Sequence, residues 1–555
     1  MALRPSFAAG LAALVLMLPS LACAAPGPVV RAPAGAVEGV AEGGLRVFKG
    51  LPYAQPPVGA ARWTSPRPAA PWAGIRKAAS FGPACIQPPS PPGNLYGDTP
   101  SEMSEDCLSL NIWAPKDARH APVFVWIHGG ALVTGSSRES VYDGARLARA
   151  GVVVVSINYR LGVLGYLAHP ALSAESAQGV SGNYGLLDQI EALRWVRRNI
   201  AAFGGDPANV TIAGQSAGGL SVIYLLVAPP ARGLFAKAIA ESGYMVSTPE
   251  LKTASFGAPS AEAAGVALLA KLHAPDVAAL RGWDARTLTN AAAMAGFAPF
   301  GVVDGKILPR QLVDTFDRGE QAPVPLMAGF TSGEIRSLRG LAPRPPASAA
   351  AYEAAIRERY GDLAEAYLKL YPSTNLEESL LAATRDALYG WTAERLAIKQ
   401  AALGQPAYLY LFDHGYPAAD AAGLHAFHAS ELPYVFGTDE RLPAHWPKPP
   451  ATGAETALSD AMIGYWTSFA RGGVPAAAGE PAWPAFGATG AYMDFTDAPH
   501  PSDHLMPGMY AFDEAVVCRR RLSQTQAWNW NIGLWSPPLP ADAAACHPKA
   551  AGGRR

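Results

Sequence analysis

The chain has 555 residues, of which half are hydrophobic and only 16% are charged, and its formal net charge is -1. That composition can fill a large hydrophobic core. The near-zero net charge argues against nucleic acid or an anionic membrane as the main partner.

The first 24 residues have the pattern of a secretory signal peptide. Arg4 precedes an apolar run from Phe7 to Leu18, and the small-residue cleavage site Ala22-Cys23-Ala24 follows. The run is too short to span a bilayer well as a permanent helix, and no later segment reads as a transmembrane span. The pattern predicts a secreted or periplasmic protein, with a lipid anchor at Cys23 as the alternative.

The five cysteines fit an oxidising compartment. Removal of the signal peptide takes away Cys23 and leaves an even number of cysteines for disulfide bonds. Buried free thiols are the alternative. The simplest pairing joins neighbours in the sequence, Cys85 with Cys107 and Cys518 with Cys546.

Central strands are predicted by two nearly continuous apolar runs, residues 123–127 and 152–157. Such runs are typical of parallel strands that are buried on both faces. Helical spacing over 186–200, followed by a β-branched run at 210–213, predicts an α/β sheet with crossover helices. Further strands are expected near 45–54, 108–113, 324–329 and 408–412, and Ala-rich helical caps at 260–273 and 347–403. We expect one domain over 25–540 and a loose tail over 541–555.

A Gly-x-Ser-x-Gly motif, Gly214-Gln215-Ser216-Ala217-Gly218, follows the strand predicted at 210–213. Glycine- and serine-rich loops produce this motif by chance, so the motif alone is weak evidence. The strand before it and the apolar helical run after it, residues 220–226, match the setting of a nucleophile elbow. The pattern predicts Ser216 as a nucleophile on a sharp turn that glycines make possible.

A nucleophilic serine needs hydrogen-bond donors for the oxyanion that forms on its substrate. His128-Gly129-Gly130-Ala131 directly follows the buried run at 123–127 and has the form of an oxyanion loop. The backbone N–H groups of Gly130 and Ala131, together with that of Ala217, would make a three-donor hole. The alternative is an ordinary glycine turn, and the presence of the elbow motif disfavours it.

A general base and an acid that orients it should complete the site, and in this chain order the acid lies between the serine and the histidine. The acids that satisfy this order are Asp304, Asp314, Asp317, Glu320, Glu334, Asp413 and Asp420. Glu334 is favoured because it follows a predicted strand on a loop, whereas Asp413 leads directly into the histidine loop. His428 is the favoured base, with His425 and His414 as alternatives.

Five segments give the chain a resemblance to the carboxylesterase type B family, the cholinesterase-like branch of the α/β-hydrolases. They are residues 48–59, 104–111, 182–189, 203–207 and 428–434. The resemblance implies a large, mostly parallel central sheet flanked by helices, with helical caps over the active site. It also implies a serine esterase that hydrolyses carboxylic esters through an acyl-enzyme, with Ser216, Glu334 and His428 as the triad and no metal or organic cofactor.

The chain departs from the family pattern at three positions beside the site. Gln215 replaces the glutamate that is usual before the serine, Ala131 replaces a glycine, and Ala429 replaces the glycine after the histidine. We expect the first change to alter the local charge and not the mechanism.

Cholinesterases carry a tryptophan in the first disulfide loop, where it binds quaternary ammonium by cation–π contact. The segment between Cys85 and Cys107 has no tryptophan, and Tyr96 offers only a weaker aromatic face. We therefore expect neutral short- or medium-chain esters, or aryl esters, as substrates. The alternatives are an inactive cholinesterase-like adhesion or binding protein, and an amide- or lactone-directed hydrolase with the same triad.

Overall fold

The computed structural model describes Met1, residues 27–528 and residues 532–546. The remainder of the predicted signal peptide, including Cys23, lies outside the described residues, as does the end of the predicted C-terminal tail. No helix in the described part of the chain is long and apolar enough to cross a membrane.

The strands of the described residues are β1 (Val29–Ala32), β2 (Gly35–Glu38), β3 (Val40–Glu42), β4 (Leu45–Pro52), β5 (Ile75–Lys77), β6 (Ala84–Cys85), β7 (Met103–Ser104), β8 (Ser109–Pro115), β9 (Ala121–Ile127), β10 (Val153–Ile157), β11 (Gly205–Gln215), β12 (Lys237–Glu241), β13 (Leu326–Thr331), β14 (Ala407–Phe412), β15 (Tyr492–Phe495) and β16 (Pro499–Ser502).

The α-helices of the same residues are α1 (Ala145–Arg149), α2 (Gly162–Tyr166), α3 (Pro170–Glu175), α4 (Tyr184–Asn199), α5 (Ala217–Val227), α6 (Ala261–Lys271), α7 (Val277–Arg281), α8 (Ala285–Met294), α9 (Leu312–Asp317), α10 (Ala349–Tyr360), α11 (Ala364–Leu370), α12 (Leu376–Arg385), α13 (Trp391–Ala401), α14 (Pro417–Ala421), α15 (Leu432–Phe436), α16 (Gly453–Gly472) and α17 (Met509–Ser523). A π-helical turn, Asp386–Gly390, joins α12 to α13.

In the described residues the main sheet has eleven strands, in the order β16-β15-β14-β13-β12-β11-β9-β10-β8-β4-β3. The strands from β15 to β10 in this order run parallel to their neighbours. The strands β8, β4 and β3 form an antiparallel edge, and β16 closes the other edge antiparallel to β15. The predicted α/β-hydrolase sheet, mostly parallel and flanked by helices, is confirmed.

The sequence of β9 is apolar throughout because alternate residues pack into hydrophobic clusters on the two faces of the sheet. Val123, Val125 and Ile127 belong to the hydrophobic cluster on one face of the sheet, while Phe124 and Trp126 belong to the cluster on the other. Because both faces are covered, a polar residue on either face would lose its contact with water.

The helices that follow β12 begin at side-chain caps. Ser260, Asp276 and Asp284 accept hydrogen bonds from backbone N–H groups in the first turns of α6, α7 and α8. Leu268 of α6 and Leu288 of α8 pack with residues of α2 in a separate hydrophobic cluster. The segment from α12 to α13 instead brings its π-helical turn to the carboxyl end of the parallel strands, where it lines the main cavity.

Two disulfide bonds join cysteines of the described residues, and they are the pairs predicted from the sequence. Cys85 is bonded to Cys107, and this bond closes the loop that includes Tyr96. Cys518 of α17 is bonded to Cys546, which ties the end of the described chain to the domain.

Candidate active site

Ser216 lies on a strained turn between β11 and α5. Its backbone has φ +60° and ψ -123°, a conformation that residues with a side chain rarely adopt and that is concentrated at functional sites. Its N–H donates a hydrogen bond of 2.9 Å to the carbonyl of Glu241. The strand, turn and helix are those that the elbow prediction requires.

The glycines of the elbow are needed because two chain segments almost touch there. A Cβ atom added to Gly218 would lie 2.0 Å from the carbonyl oxygen of Ile127, at the end of the adjacent strand β9. One added to Gly214 would lie 2.6 Å from the backbone of Gly218. This close approach places the loop after β9 against the serine.

That loop carries the predicted oxyanion donors. Gly130 has φ +98° and Ala131 has φ +56°, so two consecutive residues lie in the left-handed region. Both residues line the same cavity as Ser216. In the described part of the chain, the N–H groups of Gly130, Ala131 and Ala217 donate no hydrogen bond, so they are free to bind a ligand.

His128, the first residue of the oxyanion loop, is held in place by Tyr159. Its ring is stacked on that of Tyr159 with the centroids 4.5 Å apart, and its backbone carbonyl accepts a hydrogen bond from the Tyr159 hydroxyl. Burial lowers the pKa of His128 to about 4. The ring is therefore neutral around pH 7.

The structure brings Glu334 and His428 together. Nδ1 of His428 is hydrogen-bonded to Oε2 of Glu334, and both side chains are buried. The other oxygen, Oε1, accepts a hydrogen bond of 3.0 Å from the N–H of Thr331. A further backbone bond, from Gly333 to the carbonyl of Ala426 at 2.8 Å, holds the acid loop against the histidine loop.

The alternative residues have other partners. His425 is bonded to Asp420 at 2.9 Å and to Asp413 at 3.2 Å, and these bonds, with that to Asp413 the stronger cause, raise the pKa of His425 to about 8. His414 contacts Glu455 at 3.0 Å. The remaining acids are bonded elsewhere: Asp304 to backbone N–H groups, Asp314 and Asp317 to Arg521, and Glu320 to Arg310.

Nε2 of His428 lies 3.2 Å from Nε2 of the Gln215 side chain. Within the described residues, no hydrogen bond joins Ser216 Oγ to the imidazole. Catalytic hydrogen bonds of this kind are often made only in the substrate complex.

Three aromatic residues surround the imidazole and the cavity beside it. The Tyr389 ring, from the π-helical turn, lies 5.4 Å from the His428 ring between centroids, and the Tyr96 ring lies 6.3 Å away. The Tyr96 ring also lies 6.1 Å from the Trp446 ring between centroids, and the Tyr96 hydroxyl donates a hydrogen bond of 2.8 Å to the Ser337 hydroxyl. The motifs at Ser216 and His428 give no indication of Tyr389 or Trp446, which sequence reasoning missed.

The cavity above Ser216 has a volume of about 1080 Å³. Its walls come from the Cys85–Cys107 loop, the oxyanion loop, the π-helical turn, the segment after Glu334 and the segment after His428. Two of its charged side chains are paired, Arg138 with Glu102 and Arg339 with Glu377. Burial raises the pKa of a third, Glu139, to about 7.

Among the residues that the structure describes, no group of three or more His, Cys, Asp or Glu side chains could hold a metal ion.

Comparison with known proteins identifies the family. The model of the "Carboxylesterase family" matches residues 26–512. Fumonisin B1 esterase of Sphingopyxis macrogoltabida is 38% identical over 481 residues, which cover 83% of this chain and 85% of that protein. Para-nitrobenzyl esterase of Bacillus subtilis (strain 168) is 37% identical over 460 residues, covering 81% and 91%.

Solved structures agree with this result. A structure of PNB esterase superposes with a TM-score of 0.75 at 34% identity, over 87% of this chain and 99% of that one. The chain belongs to the carboxylesterase family and is a carboxylic ester hydrolase. The family predicted from the sequence is thereby confirmed.

Proposed function

We propose that the enzyme cleaves esters with a triad of Ser216, His428 and Glu334. The observation that carries this proposal is the buried hydrogen bond between Glu334 and Nδ1 of His428, made beside a strained serine that opens into a cavity. A carboxylate on Nδ1 fixes the tautomer in which Nε2 can accept a proton, and it stabilises the imidazolium that then forms.

Acylation begins when Ser216 Oγ attacks the ester carbonyl carbon and its proton moves to Nε2 of His428. The oxyanion is held by the free N–H groups of Gly130, Ala131 and Ala217. When the C–O bond breaks, Nε2 returns the proton to the leaving alcohol. Water then attacks the acyl-enzyme, gives a proton to Nε2, and releases the acid as Ser216 recovers its proton.

The substrates that we propose are neutral short- to medium-chain or aryl esters. The cavity has room for an ester of this size. The best cation–π surface in its wall is Trp446, but this residue is only 4% exposed and its ring packs edge-to-face against Tyr96 and Phe427. Little of the tryptophan face is left for a quaternary ammonium group, and the partly buried Tyr96 offers only a weaker surface.

Choline esters should therefore be poor substrates relative to neutral esters of the same acid. The measurement is kcat/KM for butyrylcholine and for a neutral butyrate ester of similar size and leaving-group reactivity, in one buffer. We expect the neutral ester to be clearly preferred. Preference for butyrylcholine would reveal a cation site and overturn the substrate proposal. An enzyme that hydrolyses neither ester would also overturn it.

We further propose that the enzyme is exported, because its two disulfide bonds fit an oxidising compartment. The exported protein should begin at Ala25, and N-terminal sequencing checks this.

Each disulfide bond should add roughly 3 kcal/mol to the free energy of unfolding by restricting the unfolded chain, so reduction should lower the thermal midpoint of unfolding. An N-terminus at a lipid-modified Cys23 would contradict cleavage before Ala25 but not export, whereas free thiols at the four bonded positions would contradict export.

A further inference from the structure

Gln215 places a neutral amide against the proposed general base. It is the last residue of β11, only 3% of it is exposed, and its backbone is paired with Glu241 of β12. The amide nitrogen lies 3.2 Å from Nε2 of His428. Because the residue is buried and its backbone is paired in the sheet, the fold holds its amide in this contact.

The chemistry of the two side chains defines which atom donates the hydrogen bond. Nδ1 of His428 faces a carboxylate, which only accepts, so Nδ1 carries the proton in the neutral ring. Nε2 is then an acceptor, and the amide N–H of Gln215 donates to it. If the ring became an imidazolium, two donors would face each other. The contact therefore favours the neutral ring.

We propose that Gln215 is a positioning residue whose amide donates to Nε2 of His428 in the free enzyme, gives way to the Ser216 hydroxyl when substrate binds, and keeps the free base neutral at a lower pH than a carboxylate at this position would allow. The inference rests on the proposed role of His428 as the base. It assigns a consequence to the one residue of the elbow that differs from the glutamate of the family pattern.

Two further buried carboxyl groups, Glu431 and Glu241, lie near the proposed triad. Glu431 is fully buried, neither of its carboxyl oxygens has a hydrogen-bond partner within the described residues, and burial together with the neighbouring Glu241 and Glu334 raises its pKa well above the usual range. Burial raises the pKa of Glu241 to about 8, and its carboxyl accepts a hydrogen bond of 2.7 Å from Trp466. Burial therefore favours the neutral, protonated form of both carboxyl groups.

The remaining titratable neighbours are tyrosines. Burial raises the pKa of Tyr96 and of Tyr389, the two tyrosines whose rings contact the imidazole, above the ordinary value. Both are neutral throughout the range in which a histidine titrates. Within the described residues, Glu334 is the carboxyl group that is hydrogen-bonded to the His428 ring, and a glutamate at position 215 would place a second one against it.

The test compares wild type with Gln215→Glu and Gln215→Met by the pH dependence of kcat/KM for a neutral butyrate ester. The base must be neutral to accept the serine proton, so activity falls below the pH at which it becomes protonated. Gln215→Glu should move this acid limb about one unit or more to higher pH, since a carboxylate favours the imidazolium. Gln215→Met, which loses the donor without adding a charge, should move it in the same direction by less.

The control is Gln178→Glu, which makes the same charge change at an exposed position and should leave the profile unchanged. A second readout that does not depend on turnover is the ¹⁵N NMR titration of the His428 ring, assigned by the signal that His428→Ala removes. Its midpoint should move in the same direction in both Gln215 variants.

An acid limb that stays in place in both variants, or moves to lower pH, would overturn the inference while wild-type esterase activity still stood. If Gln215→Glu does not fold, the Gln215→Met profile alone decides, because its expected direction is also fixed. Failure of the proposed function would look different, since His428→Ala would then retain activity.

Discussion

Replacement of Ser216 by alanine is expected to abolish ester hydrolysis while the fold is retained. The substitution removes the only atom that can form the acyl-enzyme, and in serine hydrolases loss of the nucleophile lowers kcat by about 10⁶-fold. The side chain is partly exposed to the cavity, so its loss leaves no void in the core. The measurements are kcat for p-nitrophenyl butyrate and the thermal midpoint of unfolding.

The matched control is Ser242→Ala. Ser242 follows β12, one strand away from Ser216, and its buried hydroxyl has no hydrogen-bond partner in the described residues. Its removal should leave most of the activity. Substantial turnover by Ser216→Ala, or equal losses in the two variants, would mean that the nucleophile has been placed wrongly.

His428→Ala should also abolish turnover, whereas His425→Ala should retain a measurable fraction. The two histidines are only three residues apart, but His428 is bonded to the buried Glu334 while His425 is bonded to Asp413 and Asp420 in a half-exposed cluster. Loss of the base should lower kcat by about 10⁴-fold or more. Steady-state kinetics of the two purified variants with one neutral ester will measure the difference.

The acids provide a second matched pair for the same assignment. Glu334→Gln keeps the shape of the side chain but removes its charge, and the corresponding change in a serine protease lowers kcat about 10⁴-fold. Asp413→Asn changes a carboxylate that is hydrogen-bonded to His425 and Ser332, and it should have a far smaller effect. If the ranking of either pair is reversed, the acid and base loops carry other residues than those proposed.

Much of the fold can be predicted from the sequence because burial on both faces leaves a direct signal. The apolar runs at 123–127 and 152–157 correspond to the central strands β9 and β10. The order of strands carries no such local signal: β9 lies between β10 and β11, and β10 pairs with the earlier strand β8. That order depends on crossover connections and packing between segments far apart in the chain.

In the candidate site, too, a local motif marks some residues, and tertiary packing alone places the others. Ser216, Gly130 and His428 lie in short motifs whose residue types are dictated by a sharp turn, a backbone donor and a proton acceptor. Tyr389 and Trp446 reach the site from a π-helical turn and from a loop after the histidine, and neither segment has a motif that marks it. Their positions are set by tertiary packing.

The tryptophan nearest to a possible cation site cannot be found from the local sequence. The Cys85–Cys107 loop itself contains no tryptophan. The structure brings Trp446 against Tyr96 of that loop from more than three hundred residues further along the chain. The expectation of poor choline-ester turnover now rests on how completely Trp446 is covered, which the sequence does not reveal.

The most direct test of the proposed triad is the site of covalent labelling by a fluorophosphonate. This probe transfers its phosphonyl group to an activated serine, and peptide mass mapping then identifies the modified residue. We predict a single label on Ser216, no label in Ser216→Ala, and strongly slowed labelling in His428→Ala because the serine proton has no acceptor. A label on another residue of the wild-type enzyme, or undiminished labelling of Ser216→Ala, would contradict the account.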